Sequence, residues 1–464
     1  MYFFFNRYFP IKQLYLWISE LIIIFMALIA LGHIISFVVG SAILHYDPFV
    51  IKIILMVVVY MVSLYYFDIY SPELYRPSQQ MLVKLAQALG VATLVLMGIY
   101  YVSPQISVWK GMLIVNALVL PLLITSWRSL FTHVTHFQMP REKVLLIGTG
   151  DLAQKIGSKI YTEPHHGLHL AGFIDDNPHQ ADQGNVNPGI VGGYGDIARV
   201  VREKEVRRII VALADRRAKL PMSALLDCKL KGVTIEEGET FNERLEGKVP
   251  LDQLKPSWMV FSDGFKSLRS RKILKRILDI FLSALLLIPA APLLLITPLL
   301  IKLESKGPAI FKQKRVGENG REFDIYKFRS MRTDAEDSTG PVWAREKDNR
   351  ITKIGAFIRK VRIDELPQIF NVIKGDMSFV GPRPERQFFV DQLKREIPYF
   401  EMRTVVKPGL TGWTQVKYPY GATIDDAREK LQYDIYYIKN MSPVLDFIIF
   451  FMTIKVVLFG KGAR

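Results

Sequence analysis

The sequence predicts a multi-domain membrane protein. An N-terminal four-helix transmembrane bundle covers residues 1–135, a central Rossmann-like α/β domain 141–265, and a C-terminal α+β module 271–464, which opens with a re-entrant membrane helix hairpin at about 277–303. Three observations predict this. Four long apolar runs crowd the first 130 residues, alternating strand and helix patterns follow a glycine turn, and the positive charge is concentrated at the far end. The 464 residues are half hydrophobic yet carry a formal charge of +16, from 60 Lys+Arg against 44 Asp+Glu. Residues 1–140 hold 7 basic and 4 acidic side chains, 141–270 hold 19 and 18, and 271–464 hold 34 and 22. The last segment therefore meets an anionic partner: a lipid surface, a nucleotide or a nucleic acid. With charged residues at 22% and apolar ones abundant, disorder is excluded as a general description.

The apolar runs are approximately Trp17–Val39, Phe49–Phe67, Met81–Tyr101 and Val108–Trp127. Each approaches the roughly 20 residues that cross a bilayer as a helix, and Tyr and Trp flank several ends, as interfacial aromatics do. The opening MYFFFNRYFPIK has neither a basic n-region nor a small-residue cleavage site, so it reads as uncleaved. Arg7 and Lys12 precede the first run, Arg76 and Lys84 separate the second and third, and Arg128, Arg141 and Lys143 follow the fourth. The first and third loops offer only Lys52 and Lys110. The positive-inside bias then places the N-terminus, the middle loop and everything after Trp127 in the cytoplasm. The one cysteine, Cys228, allows neither an internal disulfide nor a Cys-based zinc site, and its helix-like surroundings make it a small core residue.

In the central segment, Lys143–Gly148 reads as a buried strand that runs into Gly148-Thr-Gly150-Asp-Leu-Ala153 and a helix. Phe173–Asp176, Arg208–Ala214 and Val233–Glu236 read as further strands, and 177–193, rich in Asn, Pro and Gly, as a loop. Strands alternating with helices argue a parallel sheet. Gly148, Gly150 and Ala153 match the pattern that brings a backbone close to a pyrophosphate, and Asp175 lies where a ribose-binding acid would sit. Against a dinucleotide site, Asp151 puts a negative charge beside it, and no Tyr-x-x-x-Lys follows. A possible nucleotide site stands beside a structural or regulatory domain as the two readings.

A fifth apolar run follows Lys272, uncharged from Ile280 to Ile301. Its 22 residues would reach about 33 Å as a straight helix, but Pro289, Pro292 and Pro298 interrupt it. Proline removes a donor and clashes one turn back. A bend that turns the chain back keeps residues 302–464 in the cytoplasm; a kinked crossing would put them outside. Near the end, Val444–Phe459 is apolar but holds Asp446 and Lys455, which suits either a helix in the membrane interface or a buried one.

The residues with chemical potential follow the fifth run. Ile310–Gly317 is a cationic strand pattern, and Ile325–Met331 places Lys327 and Arg329 on one strand face. In Arg362-Ile-Asp-Glu-Leu-Pro-Gln-Ile-Phe-Asn371, apolar residues recur at helical spacing and Pro367 sets a helix start near Asp364. Free backbone donors and the dipole there favour a carboxylate as the anion, which suits a nucleophile. Adjacent helical residues diverge by about 100°, so one of the two acids can attack while the other binds a metal; an N-cap Asp beside an exposed Glu is the plainer alternative. Gly381-Pro-Arg383-Pro-Glu-Arg386 is a basic turn whose prolines restrict Arg383, and arginine suits phosphate. Basic residues interleaved with acids, and no nucleic-acid-binding signature, argue against nucleic acid as the partner.

The motifs KFRSM at 327–331, DELPQ at 364–368, GDMSFVGPRP at 375–384 and KPGLTGW at 407–413 resemble, in joint order and spacing, the bacterial polyprenyl-phosphate phosphoglycosyl transferases of the monotopic superfamily. The whole layout, with YPYGATIDDA and the ending FGKGAR, is similar to the large exopolysaccharide-initiating members often called EpsB-like sugar transferases. The resemblance implies a monotopic catalytic module that transfers a sugar 1-phosphate, glucose first among the candidates, from a UDP-sugar to undecaprenyl phosphate and releases UMP. It implies that Asp364 is the nucleophile of a phosphosugar-aspartate intermediate, that Glu365 is associated with Mg2+, and that Arg383, Lys327 and Arg329, with Arg386, face the phosphates. It also implies contact with membrane lipids and suggests a homodimer. Ala291-Pro292 stands where the family bends its hairpin at Ser-Pro. The rival readings are an NAD-dependent nucleotide-sugar epimerase or dehydratase at 148–153, and a membrane sensor or scaffold with an inactive C-terminal module.

Overall fold

The computed structural model describes residues 2–4, 7–9, 11–39, 49–71, 74–75, 77–108, 110–138, 142–162, 167–176, 188–213, 220–251, 264–265, 269–332, 350–418, 421 and 423–458. Arg76, Arg141, most of the 177–193 loop, part of YPYGATIDDA and the FGKGAR ending lie outside the described residues. The chain forms two compact units, Met1–Phe241 and Asn242–Arg464.

The first unit opens with a short antiparallel hairpin, β1 (Tyr2–Phe4) and β2 (Arg7–Phe9), which the sequence reading did not foresee. Four apolar helices follow: Ile11–Val39, Phe49–Tyr66, Gln79–Val102 and Lys110–Gln138. All four are long and apolar enough to cross a membrane. The first packs on the second and fourth, and the third packs on the second and fourth. Leu28, Met56, Leu85 and Ile124 meet in their shared core. Outward faces stay apolar, as at Leu94 and Leu122, which fits lipid rather than water. One ion pair is fully buried among them: Arg128 Nε donates to Glu20 Oε1 at 2.6 Å and Nη2 to Oε2 at 3.0 Å. Arg128 Nη1 also donates to the Ile69 and Leu74 carbonyls. A buried charge survives in such surroundings when it is paired and hydrogen-bonded, as here.

The same unit contains a five-stranded, all-parallel sheet of β3 (Glu142–Ile147), β4 (Leu168–Ile174), β5 (Ile190–Gly192), β6 (Arg208–Val211) and β7 (Thr234–Glu237), in the order β5-β4-β3-β6-β7. The parallel sheet read from the sequence is present, and β5 falls inside the stretch read as a loop. A three-residue edge strand is too short to leave a periodic signal. Val144 to Ile147 are wholly buried, as a central parallel strand requires. Cys228 is a buried, free core residue.

The second unit begins earlier than the boundary at 265 read from the sequence. Gly247 and Val249 bond to Trp413 and Gln432, and Glu243 pairs with Lys439 at 2.6 Å. The apolar run is one helix, Arg269–Glu304, that contains all three prolines. No separate turn divides it into the two arms expected of a hairpin. Both of its ends bond to the same unit. Arg276 donates to the Val372 and Ile373 carbonyls near the start, and Glu304 accepts from the Lys353 and Ile354 amides at the end. Beyond it, β8 (Ile310–Val316) and β9 (Glu322–Phe328) form an antiparallel ribbon, and β10 (Ser378–Val380) pairs in parallel with β11 (Gly409–Thr411). Helices Gln387–Glu396, Ile424–Asn440 and Pro443–Leu458 surround Phe379, Trp413 and Tyr436. Of the two readings for the last helix, burial holds at its first turns. Asp446 is fully buried and pairs with Lys275 at 2.9 Å, because a carboxylate that leaves water needs a cation beside it.

Candidate active site

The site is built where two short elements meet β9. Helix Lys353–Lys360 ends at Arg362, whose φ of 60° is left-handed and turns the chain sharply. The next residues form a tight turn, Ile363–Glu365, ahead of helix Gln368–Lys374, with Pro367 at its N-cap. Asp364 and Glu365 thus precede the helix, close to the position the proline predicts. Gly375, at φ 99°, closes that helix, and its amide bonds the Asn371 carbonyl at 3.0 Å. The buried Asn371 side chain then fixes the helix to β9. It donates to the Asp324 carbonyl at 2.8 Å and accepts from the Tyr326 amide at 3.0 Å, which sets Lys327 beside the acids.

Arg383 arrives from the other side. Gly381 and Gly409 let β10 and β11 approach so closely that a Cβ on Gly409 would stand 2.1 Å from the Gly381 nitrogen. The Gly409 amide donates to the Pro382 carbonyl at 2.8 Å, and Gly381 donates to Thr411 at 2.9 Å. The KPGLTGW segment therefore braces the Pro-Arg-Pro turn. Arg403 adds a bond from Nη2 to the Arg383 carbonyl at 2.9 Å and is itself held by Asp434 at 3.0 Å.

Four of the residues proposed from sequence converge: Asp364, Glu365, Lys327 and Arg383. Arg383 bonds both Glu365 oxygens, Lys327 Nζ stands 3.5 Å from Glu365 Oε1 and Arg362 3.8 Å from it. Burial pushes the Glu365 carboxyl up, but Arg383, Lys327 and Arg362 outweigh it and hold the group well below the usual carboxylate range. The paired carboxylate in turn raises Arg383, and burial lowers the Lys327 ammonium against the pull of Glu365. Asp364 goes the opposite way. Burial first, then the Glu365 charge, push it up to about 6. The helix-end donors expected to favour its anion do not prevail, because the carboxyl is 8% exposed and its Oδ1 is a buried atom with no hydrogen-bond partner. The Glu365 of the plainer alternative, an exposed neighbour, is not what the fold gives.

The other candidates stand elsewhere. Arg329 lies just past the end of β9, and its guanidinium donates to the Lys306 carbonyl at 3.0 Å and to the Ser305 carbonyl and hydroxyl at 2.8 and 2.9 Å. It caps the long apolar helix instead of joining Lys327. Arg386 is the N-cap of helix Gln387–Glu396, and its carbonyl accepts from Phe389 and Val390. In the first unit, Gly148 has φ 101° and packs on Ala212, Ala153 is buried in the first turn of helix Asp151–Thr162, and Gly150 is open. Asp175 accepts from the Thr149 hydroxyl at 2.6 Å, so the acid proposed for a ribose already has a partner. Sequence reasoning missed the roles of Arg362 and Arg403. The i to i+3 spacing of Arg362 and Glu365 was a usable signal, whereas Arg403 is visible only in three dimensions.

Among the described residues no three His, Cys, Asp or Glu gather as a metal site. Mg2+ takes one or two carboxylates and completes its shell with phosphate oxygens and water. The Glu365 carboxylate, beside space that a substrate's phosphates would share with the unpartnered Asp364 oxygen, fits the one-carboxylate form of that donor set.

Comparison with known proteins gives the chain's relatives. A family model described as bacterial sugar transferase matches residues 270–460, and one described as a CoA-binding domain matches 65–226. The chain is similar to the UDP-N-acetylgalactosamine-undecaprenyl-phosphate N-acetylgalactosaminephosphotransferase of Aeromonas hydrophila, 48% identical over 52% of this chain. It covers only 56% of that relative's length. The exopolysaccharide production protein PSS of Rhizobium leguminosarum bv. phaseoli is 43% identical over 41% of this chain and 98% of its own. The UDP-glucose:undecaprenyl-phosphate glucose-1-phosphate transferase of Xanthomonas campestris pv. campestris is 30% identical over 76% of this chain and 75% of its own. That last match takes in most of both chains, and the Asp364 cluster falls inside the segment matched by the first model: the chain belongs to the bacterial sugar transferase family.

Proposed function

We propose that the protein transfers a sugar 1-phosphate from a UDP-sugar to undecaprenyl phosphate at a bacterial inner membrane, releases UMP, and so initiates exopolysaccharide synthesis. The observation that carries this is the buried Asp364 carboxyl, its Oδ1 without a hydrogen-bond partner, beside a Glu365 ringed by Arg383, Lys327 and Arg362. At neutral pH Asp364 is mostly anionic yet poorly solvated, which suits a nucleophile. Its free oxygen attacks the phosphorus that bears the sugar, the bond to the bridging oxygen breaks, and that oxygen leaves with UMP. A phosphate oxygen of undecaprenyl phosphate then attacks the same phosphorus and frees Asp364, leaving the sugar on a lipid diphosphate. Arg383 and Lys327 offset charge on the phosphates as it moves to the leaving group. Glu365, with the substrate's phosphates, would hold Mg2+, which supplies further charge neutralisation.

The N-terminal helices are read as a transmembrane bundle and the Arg269–Glu304 helix as entering and leaving the same leaflet. In support, both ends of that helix bond to one unit. The sheet is read as Rossmann-like, with the order reversal between β3 and β6 beside Gly148. The glycine turn supports a nucleotide or regulatory role, but no relative named above is an epimerase or dehydratase. Glucose is the first sugar proposed, in line with the Xanthomonas relative's name, and an N-acetylated hexose the second, in line with that from Aeromonas.

The test is UMP release by the full chain with undecaprenyl phosphate and UDP-glucose, UDP-galactose or UDP-N-acetylgalactosamine. At least one donor is expected to release UMP, and Asp364→Asn to cut the rate by about 1000-fold or more. Release unchanged in Asp364→Asn would defeat the mechanism.

A further inference from the structure

Outside the Asp364 cluster, the densest buried charge in the second unit lies at the start of the apolar helix. Lys275 and Asp279 are one turn apart on it and pair at 3.3 Å. Lys275 Nζ also pairs with Asp446 at 2.9 Å and donates to the Val380 carbonyl at 2.9 Å. The Tyr437 hydroxyl donates to Asp446 Oδ1 at 2.7 Å and stands 3.0 Å from the same Val380 carbonyl. Asp279 Oδ1 accepts from the Phe379 amide at 3.0 Å, and the Ser378 hydroxyl lies 2.9 Å from it. Three helices thus contribute to one network, and four of its bonds end on β10.

Two carboxylates around one ammonium are expensive to bury, and apolar residues of similar size fill such a space at lower cost. What the network specifies is the placement of β10, a three-residue strand. Its last residue is Val380, and Arg383 follows three positions later. Pro382 and Pro384 stiffen the backbone on both sides of Arg383, so little slack separates the pinned carbonyl from the guanidinium. We propose that Lys275, Asp279 and Asp446 are positioning residues that hold Val380 so that Arg383 meets Glu365, and that they link the seating of the membrane helix to the assembly of the site. This rests on the reading of Arg383 and Glu365 as parts of the active site.

The test is a double-mutant cycle on the full chain in nanodiscs, read as kcat/KM for UMP release. Lys275→Met is expected to lower it about 10-fold in the natural background and about 2-fold or less when Arg383→Lys is already present. Equal losses in both backgrounds, or no loss in either, overturn the proposal, because a residue needed only for stability acts independently of Arg383. Should Lys275→Met fail to yield folded protein, Asp279→Asn goes through the same cycle under the same criteria. It keeps the side chain's shape and an acceptor for Phe379 while removing the charge. Asp364→Asn, measured alongside, separates the two failures. If it stays active, the catalytic reading fails; if it is inactive and the cycle is additive, only the positioning role fails.

Discussion

Asp364 and Glu365 are neighbours in the chain with opposite electrostatic fates, and the difference comes from what each one faces. Glu365 meets three cations; Asp364 meets burial and the Glu365 charge. The sequence showed that the pair heads a helix, because Pro367 leaves little choice. It did not show which acid the cations would take, since Lys327 arrives from β9 and Arg383 from the turn after β10, both outside the local pattern. The raised carboxyl has a kinetic consequence. Protonation disables the attacking oxygen, so kcat/KM should be level above pH 7 and fall about tenfold per unit below pH 6. Lys327 pulls the Asp364 carboxyl down, so Lys327→Met should move this acid limb to higher pH. A pH profile of kcat/KM for the natural protein and for that variant checks both; a limb that stays put in Lys327→Met would remove the ammonium from the site's electrostatics.

At the scale of elements, strand periodicity was a good guide up to the point where the strand stops. It put Lys327 and Arg329 on one face, but β9 ends at Phe328, and past that point alternation no longer sets direction. Arg329 instead turns to the Ser305 and Lys306 carbonyls, just past the C-terminus of the apolar helix. Those carbonyls sit at the exit of a membrane helix, where a buried cation satisfies both the dipole and the free acceptors. Arg329→Ala should therefore act on stability. Loss of three charge-assisted bonds from a buried arginine is expected to cost about 2–3 kcal/mol, seen as a lowered thermal midpoint, while KM for the UDP-sugar in the surviving folded protein stays within about twofold. A large rise in KM with an unchanged midpoint would return Arg329 to the phosphates. The β5 strand and the placement of residues 242–251 with the C-terminal unit were beyond the sequence for a related reason. Both depend on partners remote in the chain, not on local pattern.

For the whole molecule, the long apolar runs were legible because a 20-residue hydrophobic stretch is a local signal. The path of the fifth run was not, because prolines say that a helix is disturbed and not where its ends go. The bonds made at its two ends bear on that path. Arg276 reaches carbonyls at 372 and 373, Lys275 reaches Val380, 105 residues away, and Glu304 reaches the amides at 353 and 354, all within one compact unit. A polar folded unit is not expected to straddle a bilayer core of about 30 Å, which supports the proposed reading that the two ends lie on one side of the membrane. Replacing Cys228, buried and the sole cysteine of the chain, with Ser provides a silent background. Single cysteines at the exposed positions Arg271 and Lys306, before and after the run, should then react with an impermeant maleimide from the same side of sealed vesicles. Gln105→Cys, in the loop after the third helix, should react from the other side. Vesicles of inverted orientation should exchange the two patterns together. If Arg271→Cys and Lys306→Cys were labelled from opposite sides, the helix would cross, and the Asp364 site would face the compartment opposite to the residues just before the run.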